Sequence, residues 1–304
     1  MNHPKVAIII PVFNGLEFTR KCLPGLYELI DLSGKSKEQV PIVVVDDGSS
    51  DGTHQWISEH YPEIHLLKGD GGLWWSGGVN KGMKFALEIL KADYVLWWNN
   101  DIVPQKDYLT QLFSILSSVS TQVVVGSKVF VLNDNLIWGM GGRFDPVKGT
   151  RYMYGERQHD NARYQKAFVV DWLPGMGTTV HRSVIDTIGY LDEQNFPQYH
   201  ADSDYSLRAK SAGFQIMVFP ELVIFNDNTN TGLFHQNSYS RLFQSLTSVK
   251  SIYGFKKDLR FLQTHSTSYR AYLPFARKYF KYIGGFLKWK VLNALGVKKT
   301  INES

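Results

Sequence analysis

Two consecutive carboxylates, Asp46 and Asp47, stand directly after an apolar run in the sequence VVVDDGSSDGT at 43–53. Carboxylates in this position can accept hydrogen bonds from the N–H of a base or from a sugar hydroxyl. Two adjacent acids at a strand end repel each other unless something binds them, so we interpret the pair as a ligand-binding feature. The serines and Thr53 that follow are ordinary residues for the start of a helix, and we assign them that role.

A second polar cluster ends the apolar run in YVLWWNND at 94–101. Mg2+ and Mn2+ prefer oxygen ligands, often one or two protein carboxylates together with phosphate and water, and Asp101 offers such a ligand. Asn99 lies two residues earlier on the same side of an extended chain, where its amide could bind ribose or phosphate. A turn that closes the strand before Pro104 explains the same residues. This motif alone therefore leaves both interpretations open.

A third cluster, HADSDYSLRAKSAG at 200–213, predicts a helix that begins with two acids. The helix dipole keeps a carboxylate at the N-terminus ionised, as a general base must be to take a proton from a hydroxyl. We assign that role to Asp202, with an ordinary helix-start acid as the alternative. Asp204 and Arg208 are four residues apart and predict an ion pair that supports the helix. Gly213 is expected to end it.

The elements that must position these residues alternate between two kinds along the first hundred residues. Apolar, β-branched runs predict strands at 6–10, 41–46, 64–67 and 94–98. Segments of helical period predict helices near 16–32, 52–60 and 78–91. Such alternation is typical of a parallel sheet flanked by helices, in which ligands bind beyond the carboxyl ends of the strands. The polar loops that follow the four strands should therefore line one edge of the sheet.

The second half of the chain predicts antiparallel strands between residues 123 and 180, because short apolar runs alternate there with Gly-rich and polar segments. A helix is expected from Ser183, before the acidic helix. The sequence has no window of about 18 uninterrupted apolar residues, so we expect no membrane-spanning helix. The apolar run at the N-terminus is too short for a secretion signal. The single cysteine, Cys22, excludes an internal disulfide, and we expect a cytoplasmic protein.

Basic residues concentrate in the last part of the chain. Residues 256–304 contain eleven Lys or Arg and two acids, although the whole chain has a net charge of +5, so the body is mildly acidic. We therefore separate a domain at 1–255, with halves at about 1–105 and 106–255, from a basic helical extension at 256–304.

Within this extension, one helical face is apolar and another is basic, and Gly284 and Gly285 are expected to break the helix into two. The apolar face consists of Ala276, Phe280, Ile283 and Leu287. A cationic amphipathic helix either lies on an anionic membrane, as a peripheral association, or packs on the catalytic domain. The sequence supports both.

Four motifs in this order, PVFNG, VVDDGSSDGT, NND and the pattern from Gly189 to Arg208, resemble glycosyltransferase family two, whose members have the GT-A fold. The resemblance covers about residues 4–225 and is to bacterial, rhamnosyltransferase-like enzymes of surface polysaccharide synthesis. It implies an α/β chain with a mostly parallel, Rossmann-like sheet and a helical extension. It also implies an inverting transfer, in which an aspartate deprotonates the acceptor hydroxyl and a metal-bound nucleoside diphosphate leaves. The implied donor is a UDP- or dTDP-sugar, such as a UDP-hexose or dTDP-rhamnose.

Carried over by position, the resemblance implies roles for individual residues. Asp202 becomes the general base, and Asp101 and His235 become ligands of a Mg2+ or Mn2+ ion. The residues implied in binding the nucleotide sugar are Pro11, Val12, Phe13, Asn14, Asp46, Asp47, Gly72, Trp74, Trp75, Gly78, Asn80, Asn99, Asn100 and Asp101. Gly78, at the expected start of a helix, would bring backbone close to the diphosphate. The residues implied in contacts with acceptor or transferred sugar are Trp172, Pro174, Gly175, Met176, Tyr199 and Asp204.

The sequence departs from the family pattern at two positions. Asn99 stands where the first acid of an Asp-x-Asp motif is expected, and Ala201 stands where a Glu precedes the base. An amide can still bind ribose, so we expect activity with less charge at the metal. The alternative is a GT-A homologue that binds a nucleotide or sugar without turnover.

The expected partners are a nucleoside diphosphate sugar and a saccharide acceptor, which would be lipid-linked if the basic helix lies on a membrane. A nucleotidyltransferase is disfavoured because no Gly-rich basic motif follows the first strand. Nucleic acid is not expected as a partner, because the body is acidic and shows no known reader fold.

Overall fold

The computed structural model describes residues 4–227 and 238–295. In chain order, the first part contains β1 (Val6–Val12), α1 (Leu16–Leu32), β2 (Ile42–Asp46), α2 (Thr53–His60), β3 (His65–Lys68), α3 (Trp74–Glu88), β4 (Tyr94–Trp97), β5 (Ile102–Pro104) and α4 (Tyr108–Ser118). The middle part contains β6 (Val123–Val131), β7 (Leu136–Gly139), β8 (Gly142–Asp145), β9 (Thr150–Met153), β10 (Gln158–His159), β11 (Phe168–Val169), β12 (Thr178–His181), α5 (Arg182–Ile188), α6 (Ala201–Ser211) and β13 (Gln215–Asn226). The last part contains α7 (Tyr239–Thr247), α8 (Phe255–His265) and α9 (Tyr272–Ala294).

One mixed sheet runs in the order β10-β7-β6-β12-β4-β1-β2-β3. The four strands β4, β1, β2 and β3 are parallel, whereas β12 is antiparallel to β4. The long strand β13 runs parallel to β6 and pairs antiparallel with β5 and β11. The predicted parallel first half and the antiparallel strands of the second half are both confirmed.

The parallel strands β1, β2 and β4 are buried because helices cover them, whereas the edge strand β3 is partly exposed. All five residues of β2 and six of the seven in β1 are buried, as the continuous apolar runs predicted. Cys22 lies on the buried side of α1, and burial raises the pKa of its thiol to about 12. The cysteine is therefore an apolar core residue.

Helix α3 begins at Trp74, four residues earlier than the sequence predicted. The glycines that looked like a loop lie inside it, because they let the helix approach the sheet. A Cβ at Gly78 would stand 2.8 Å from the Cβ of Pro11, and one at Gly82 would stand 2.4 Å from a methyl carbon of Ile9. Side chains at these positions would push the helix away from β1.

Two other predictions concern helix ends. Gly213 has a φ of +94° just beyond α6 and ends that helix, as predicted. The predicted break at Gly284 and Gly285 is wrong, because α9 is a continuous helix of 23 residues. A Cβ at either glycine would meet nothing within 4 Å, so these glycines are not needed for a close approach or a turn.

The chain divides into two compact units. The first comprises Met1–Phe144 and Arg151–Asn230, and the second comprises Asp145–Thr150 and Thr231–Ser304. The second unit thus begins before the predicted boundary at residue 255 and includes α7. Within the described ranges, no helix combines the length and the apolar character needed to cross a bilayer.

Candidate active site

Asp47 organises the loop that leads into α3. One carboxylate oxygen accepts the N–H of Gly71 at 2.9 Å, and the other accepts those of Leu73 and Trp74 at 2.9 and 3.0 Å. Gly71 has a φ of +90°, a conformation that favours glycine. Three charge-assisted hydrogen bonds explain a buried acid at this strand end. Its contact with a base stays a prediction beside this structural role.

Asn14 ties the loop after β1 to the loop after β2, and Asp46 holds the second of these loops. Asn14, with a φ of +49°, accepts the N–H of Ser50 at 2.8 Å. Asp46 is buried and accepts the N–H of Ser49 at 3.0 Å. Next to Asn14, Phe13 is 53% exposed. The loop after β1 therefore combines a fixed backbone with one exposed ring that can stack on a flat partner.

Gly78 and Asn80 both make structural contacts in this fold. Gly78 lies against Pro11 inside α3 instead of at the start of the helix. The Oδ1 atom of Asn80 accepts the N–H of Leu191 at 3.0 Å, and its Nδ2 donates to the Leu191 oxygen at 2.9 Å and to Glu193 at 2.7 Å. Asn80 is also buried and its amide supports that loop, while its contact with a ligand stays a prediction.

Three further residues predicted to bind the nucleotide sugar are Val12, Gly72 and Asn100. Val12 is the buried last residue of β1, and Gly72 is exposed, with its N–H donating to Asp70 at 3.0 Å. The amide of Asn100 donates to Thr19 at 3.0 Å and so ties its loop to α1. The loops that follow the parallel strands are thus held by hydrogen bonds between neighbouring segments.

Trp75 connects the loop after β4 to the segment before β12. Its indole N–H donates to Oδ1 of Asn99 at 3.0 Å, and its ring packs so closely on Gly175 that a Cβ there would stand 2.4 Å away. Its backbone N–H donates to Gln198 at 3.2 Å. The preceding Trp74 has a φ of +57°, which is strained for a residue with a large side chain. Because β4 and β12 are antiparallel neighbours, one ring can reach both segments.

Asp101 is a partly buried acid without a complete set of hydrogen-bond partners. Its Oδ1 atom has no hydrogen-bond partner in the described part of the chain. Burial, together with the charge of Asp227, raises the pKa of Asp101 to about 6. Asp227 follows β13, whose register places it opposite Asp101, and its N–H donates to the backbone oxygen of Asp101 at 3.3 Å. Like charges opposite each other on paired strands are unfavourable.

These two acids line a cleft of about 130 Å3, together with Lys21. A buried carboxylate oxygen without a partner, beside a second acid, fits a divalent cation that completes its shell with phosphate and water. Among residues 4–227 and 238–295, no group of three or more acidic, His or Cys side chains could hold a metal. His235, the second predicted ligand, lies outside the described residues.

Asp202 lies in the first turn of α6, as predicted. Its Oδ2 atom accepts the N–H of Gly175 at 2.9 Å, and its Oδ1 atom accepts the N–H of Ser203 at 2.7 Å and the Ser203 hydroxyl at 3.3 Å. Burial raises the pKa of the Asp202 carboxyl, whereas these hydrogen bonds and the charge of Arg151 lower it. A carboxylate with a raised pKa is a stronger base, as proton transfer from a hydroxyl requires.

Arg151 approaches this acid, although no sequence pattern singled it out. It extends from β9, donates to the hydroxyl of Ser203 at 3.0 Å, and lies 5.7 Å from the centre of the Trp172 ring. Trp172 is buried, and its indole nitrogen has no partner among the residues described. In the sequence, the residues around Arg151 are polar and follow no regular pattern, and nothing among them distinguishes this arginine from a solvated one. Only the tertiary structure reveals the contact.

The remaining residues predicted to contact an acceptor or sugar lie in α6 or in the segments before β12 and α6. Asp204 forms the predicted ion pair with Arg208 at 2.9 Å and is buried, so it supports the helix. Pro174 is buried, whereas Met176 and Tyr199 are partly exposed. Their contact with an acceptor stays a prediction.

A family model described as Glycosyl transferase family 2 matches residues 7–185. Among curated proteins, the chain is 28% identical over 176 residues to the low-salt glycan biosynthesis hexosyltransferase Agl10 of Haloferax volcanii. It is 23% identical over 238 residues to the probable glycosyltransferase YdaM of Bacillus subtilis. The matches cover 57% and 75% of this chain but 54% and 52% of those proteins. The chain thus spans about half the length of the curated relatives it matches.

Among solved structures, the chain is similar to TarS 1–349 of S. aureus. The TM-score is 0.53 at 16% identity, over 73% of this chain and 60% of that one. The TarS structure in complex with UDP-GlcNAc gives a TM-score of 0.54 at 16% identity, over 74% of this chain and 59% of that one. These neighbours confirm the expected GT-A fold. Because the family model covers more than half of the residues, the chain belongs to glycosyltransferase family 2.

Proposed function

We propose that this glycosyltransferase moves a sugar from a nucleoside diphosphate to a hydroxyl of a saccharide, with inversion at the anomeric carbon. The observation that carries the proposal is the position of Trp75. Its ring packs on Gly175, whose N–H holds Asp202, and its indole holds Asn99, two residues before Asp101. One side chain therefore links the residue proposed as base to the loop proposed to hold the metal.

In the proposed reaction, the acceptor hydroxyl gives its proton to the Asp202 carboxylate while its oxygen forms a bond with the anomeric carbon. The bond from that carbon to the diphosphate oxygen breaks on the opposite face, and the nucleoside diphosphate leaves with the electron pair. The N–H groups of Gly175 and Ser203 fix the orientation of the carboxylate. Arg151 favours its ionised form before the transfer.

A divalent ion such as Mg2+ or Mn2+, when bound, neutralises charge that develops on the leaving diphosphate. We propose that Asp101 holds the ion through its buried Oδ1 atom and that Asp227 adds a second carboxylate. Asn99 binds Trp75 through its amide oxygen, so it orients the loop without adding charge. Asp227 would thus supply the charge that the sequence lacks at position 99.

The donor proposed is a UDP- or dTDP-sugar, and the acceptor is a saccharide of a surface polysaccharide, carried on a lipid. The TarS structures contain UDP-GlcNAc or UDP, which supports a pyrimidine diphosphate donor for this chain. The description of Agl10 as a glycan biosynthesis hexosyltransferase supports a role in glycan synthesis.

A thermal-shift screen of nucleoside diphosphate sugars, with and without Mn2+ or Mg2+, tests the donor proposal. We expect a pyrimidine diphosphate sugar to raise Tm when the metal is present, and melting that no donor changes would refute the proposal. Asp202→Asn should keep that shift and lose the release of nucleoside diphosphate in the presence of acceptor. A homologue that binds donors without turnover would show the shift but no release, before and after the substitution.

A further inference from the structure

The second compact unit carries most of the exposed apolar side chains of the described residues. Of the seventeen large apolar side chains that are exposed there, ten lie between residues 239 and 295. Concentrated apolar surface on a folded protein marks contact with a partner or a membrane. The last three helices therefore present an interaction surface that the transfer reaction does not explain.

One face of α9 is used to hold this unit together. Tyr279 and Phe286 are buried, and their ring centres lie 4.9 Å from that of Phe255 in α8 and 5.1 Å from that of Tyr239 in α7, respectively. The hydroxyl of Tyr279 also donates to Asp258 at 2.9 Å. These contacts fix the rotation of α9 about its axis and so determine which side chains point away from α7 and α8.

A different face of α9, continued by Leu295 directly after the helix, is an apolar stripe, formed by Leu273, Phe280, Leu287, Val291 and Leu295. Their exposed fractions are 71, 82, 45, 58 and 70%. At 100° per residue, the spacings of seven, seven, four and four place all five within an arc of about 80° and over a length of about 33 Å. Phe280 and Leu287 were on the apolar face predicted from the sequence. The helix thus packs through its aromatic face and still exposes a second apolar face.

The charges of α9 are all of one sign. The helix contains five Lys or Arg residues and no acid. Lys278 is paired with Asp258, and Lys290 lies over the Trp289 ring. Three exposed cations, Arg277, Lys281 and Lys288, border the apolar stripe on one side. An apolar stripe beside cations is complementary to acyl chains beside anionic headgroups.

We propose that the apolar stripe of α9 lies in the interface of a bilayer that contains anionic lipids, with the three bordering cations at the headgroups. A second copy of the chain fits this face less well, because it would bring the same cations together without an acid on α9 to neutralise them. The choice of a lipid-linked acceptor rests on the proposed function, whereas lipid binding itself does not.

Flotation of the full chain with vesicles tests this inference. The vesicles are phosphatidylcholine alone or phosphatidylcholine with phosphatidylglycerol. Each cation near an anionic surface tightens binding by about fivefold, so three cations predict about 100-fold tighter binding to the anionic vesicles than to the neutral ones. The double variant Phe280→Glu, Leu287→Glu should lose binding to them by about 100-fold or more. Its substituted side chains are exposed, so its Tm should stay that of the wild type.

Ile89→Glu provides the matched control, because Ile89 is an apolar side chain that is 64% exposed at the end of α3. It should bind vesicles like the wild type. Equal binding to neutral and anionic vesicles, or full binding by the double variant, would overturn the inference. So would a wild-type protein that dimerises through this stripe and ignores vesicles. Transfer to a soluble saccharide acceptor should be unchanged in the double variant, which separates this test from that of the proposed reaction.

Discussion

Substitution of Gly175 by Ala tests the contact that joins the two halves of the site. A Cβ at this position would stand 2.4 and 2.5 Å from two ring carbons of Trp75, where ordinary carbon contacts are about 3.5 Å. The ring or the backbone at 175 must therefore move by about 1 Å. Such a shift disturbs the N–H that holds Asp202 and the indole that holds Asn99. A misplacement of about 1 Å lowers rates by about 100-fold, equivalent to about 2.7 kcal/mol.

The assay is the release of nucleoside diphosphate, measured as kcat/KM, together with thermal unfolding. We expect Gly175→Ala to lower kcat/KM by about 100-fold and the free energy of unfolding by about 1–3 kcal/mol. Trp75→Phe removes ring atoms that cause the clash, so the double variant should regain about tenfold over Gly175→Ala. Gly25→Ala in α1 is the control, because a Cβ at this position would meet nothing within 4 Å. This reasoning would be refuted if the activity of Gly175→Ala were within about twofold of wild type. It would also be refuted if the losses of the two single variants simply added up in the double variant.

Three further substitutions test single side chains. Arg151→Met removes a cation that lowers the pKa of Asp202, so the acidic limb of the kcat/KM profile should move to higher pH; an unchanged profile would contradict the role of the arginine. Asp101→Asn should raise the metal-free stability by about 3 kcal/mol at neutral pH, since a carboxyl whose pKa is raised to about 6 by folding destabilises the fold once it is ionised. This gain in stability should vanish at pH values below the ordinary pKa of an aspartate. Any Mn2+-dependent rise in Tm should be lost in the variant. Asp47→Asn should cost about 1.5–3 kcal/mol in urea unfolding, whereas Asp70→Asn, which loses a single exposed hydrogen bond, should cost less than half as much.

The order of the elements was predictable because local patterns determine it. The run that forms β1 is apolar throughout and that of β2 is apolar up to its last residue, Asp46, and parallel strands covered on both faces require such runs. The ion pair of Asp204 with Arg208 was predictable for the same reason, since it depends on spacing within one helix. Such features need no knowledge of the rest of the chain.

The features that were missed depend on contacts between distant segments. The start of α3 was misplaced because acceptors for its first N–H groups come from Asp47, 26 and 27 residues away in sequence. The hydrogen bond between Asn80 and Leu191 was not predictable, because the two residues are 111 positions apart in sequence. Asp227 meets Asp101 only through the register of β13 with β5. No local pattern contains these pairings.

The glycines of α3 limit how this protein can be redesigned. Gly78 and Gly82 leave no room between the helix and β1 for even one methyl group. Saturation mutagenesis for altered donor preference should therefore give inactive or unfolded variants at these two positions. Phe13 is half exposed and Gly72 is open, so substitutions there leave the packing of the sheet intact. A library for changed specificity is better concentrated on the exposed loops than on the helix behind them.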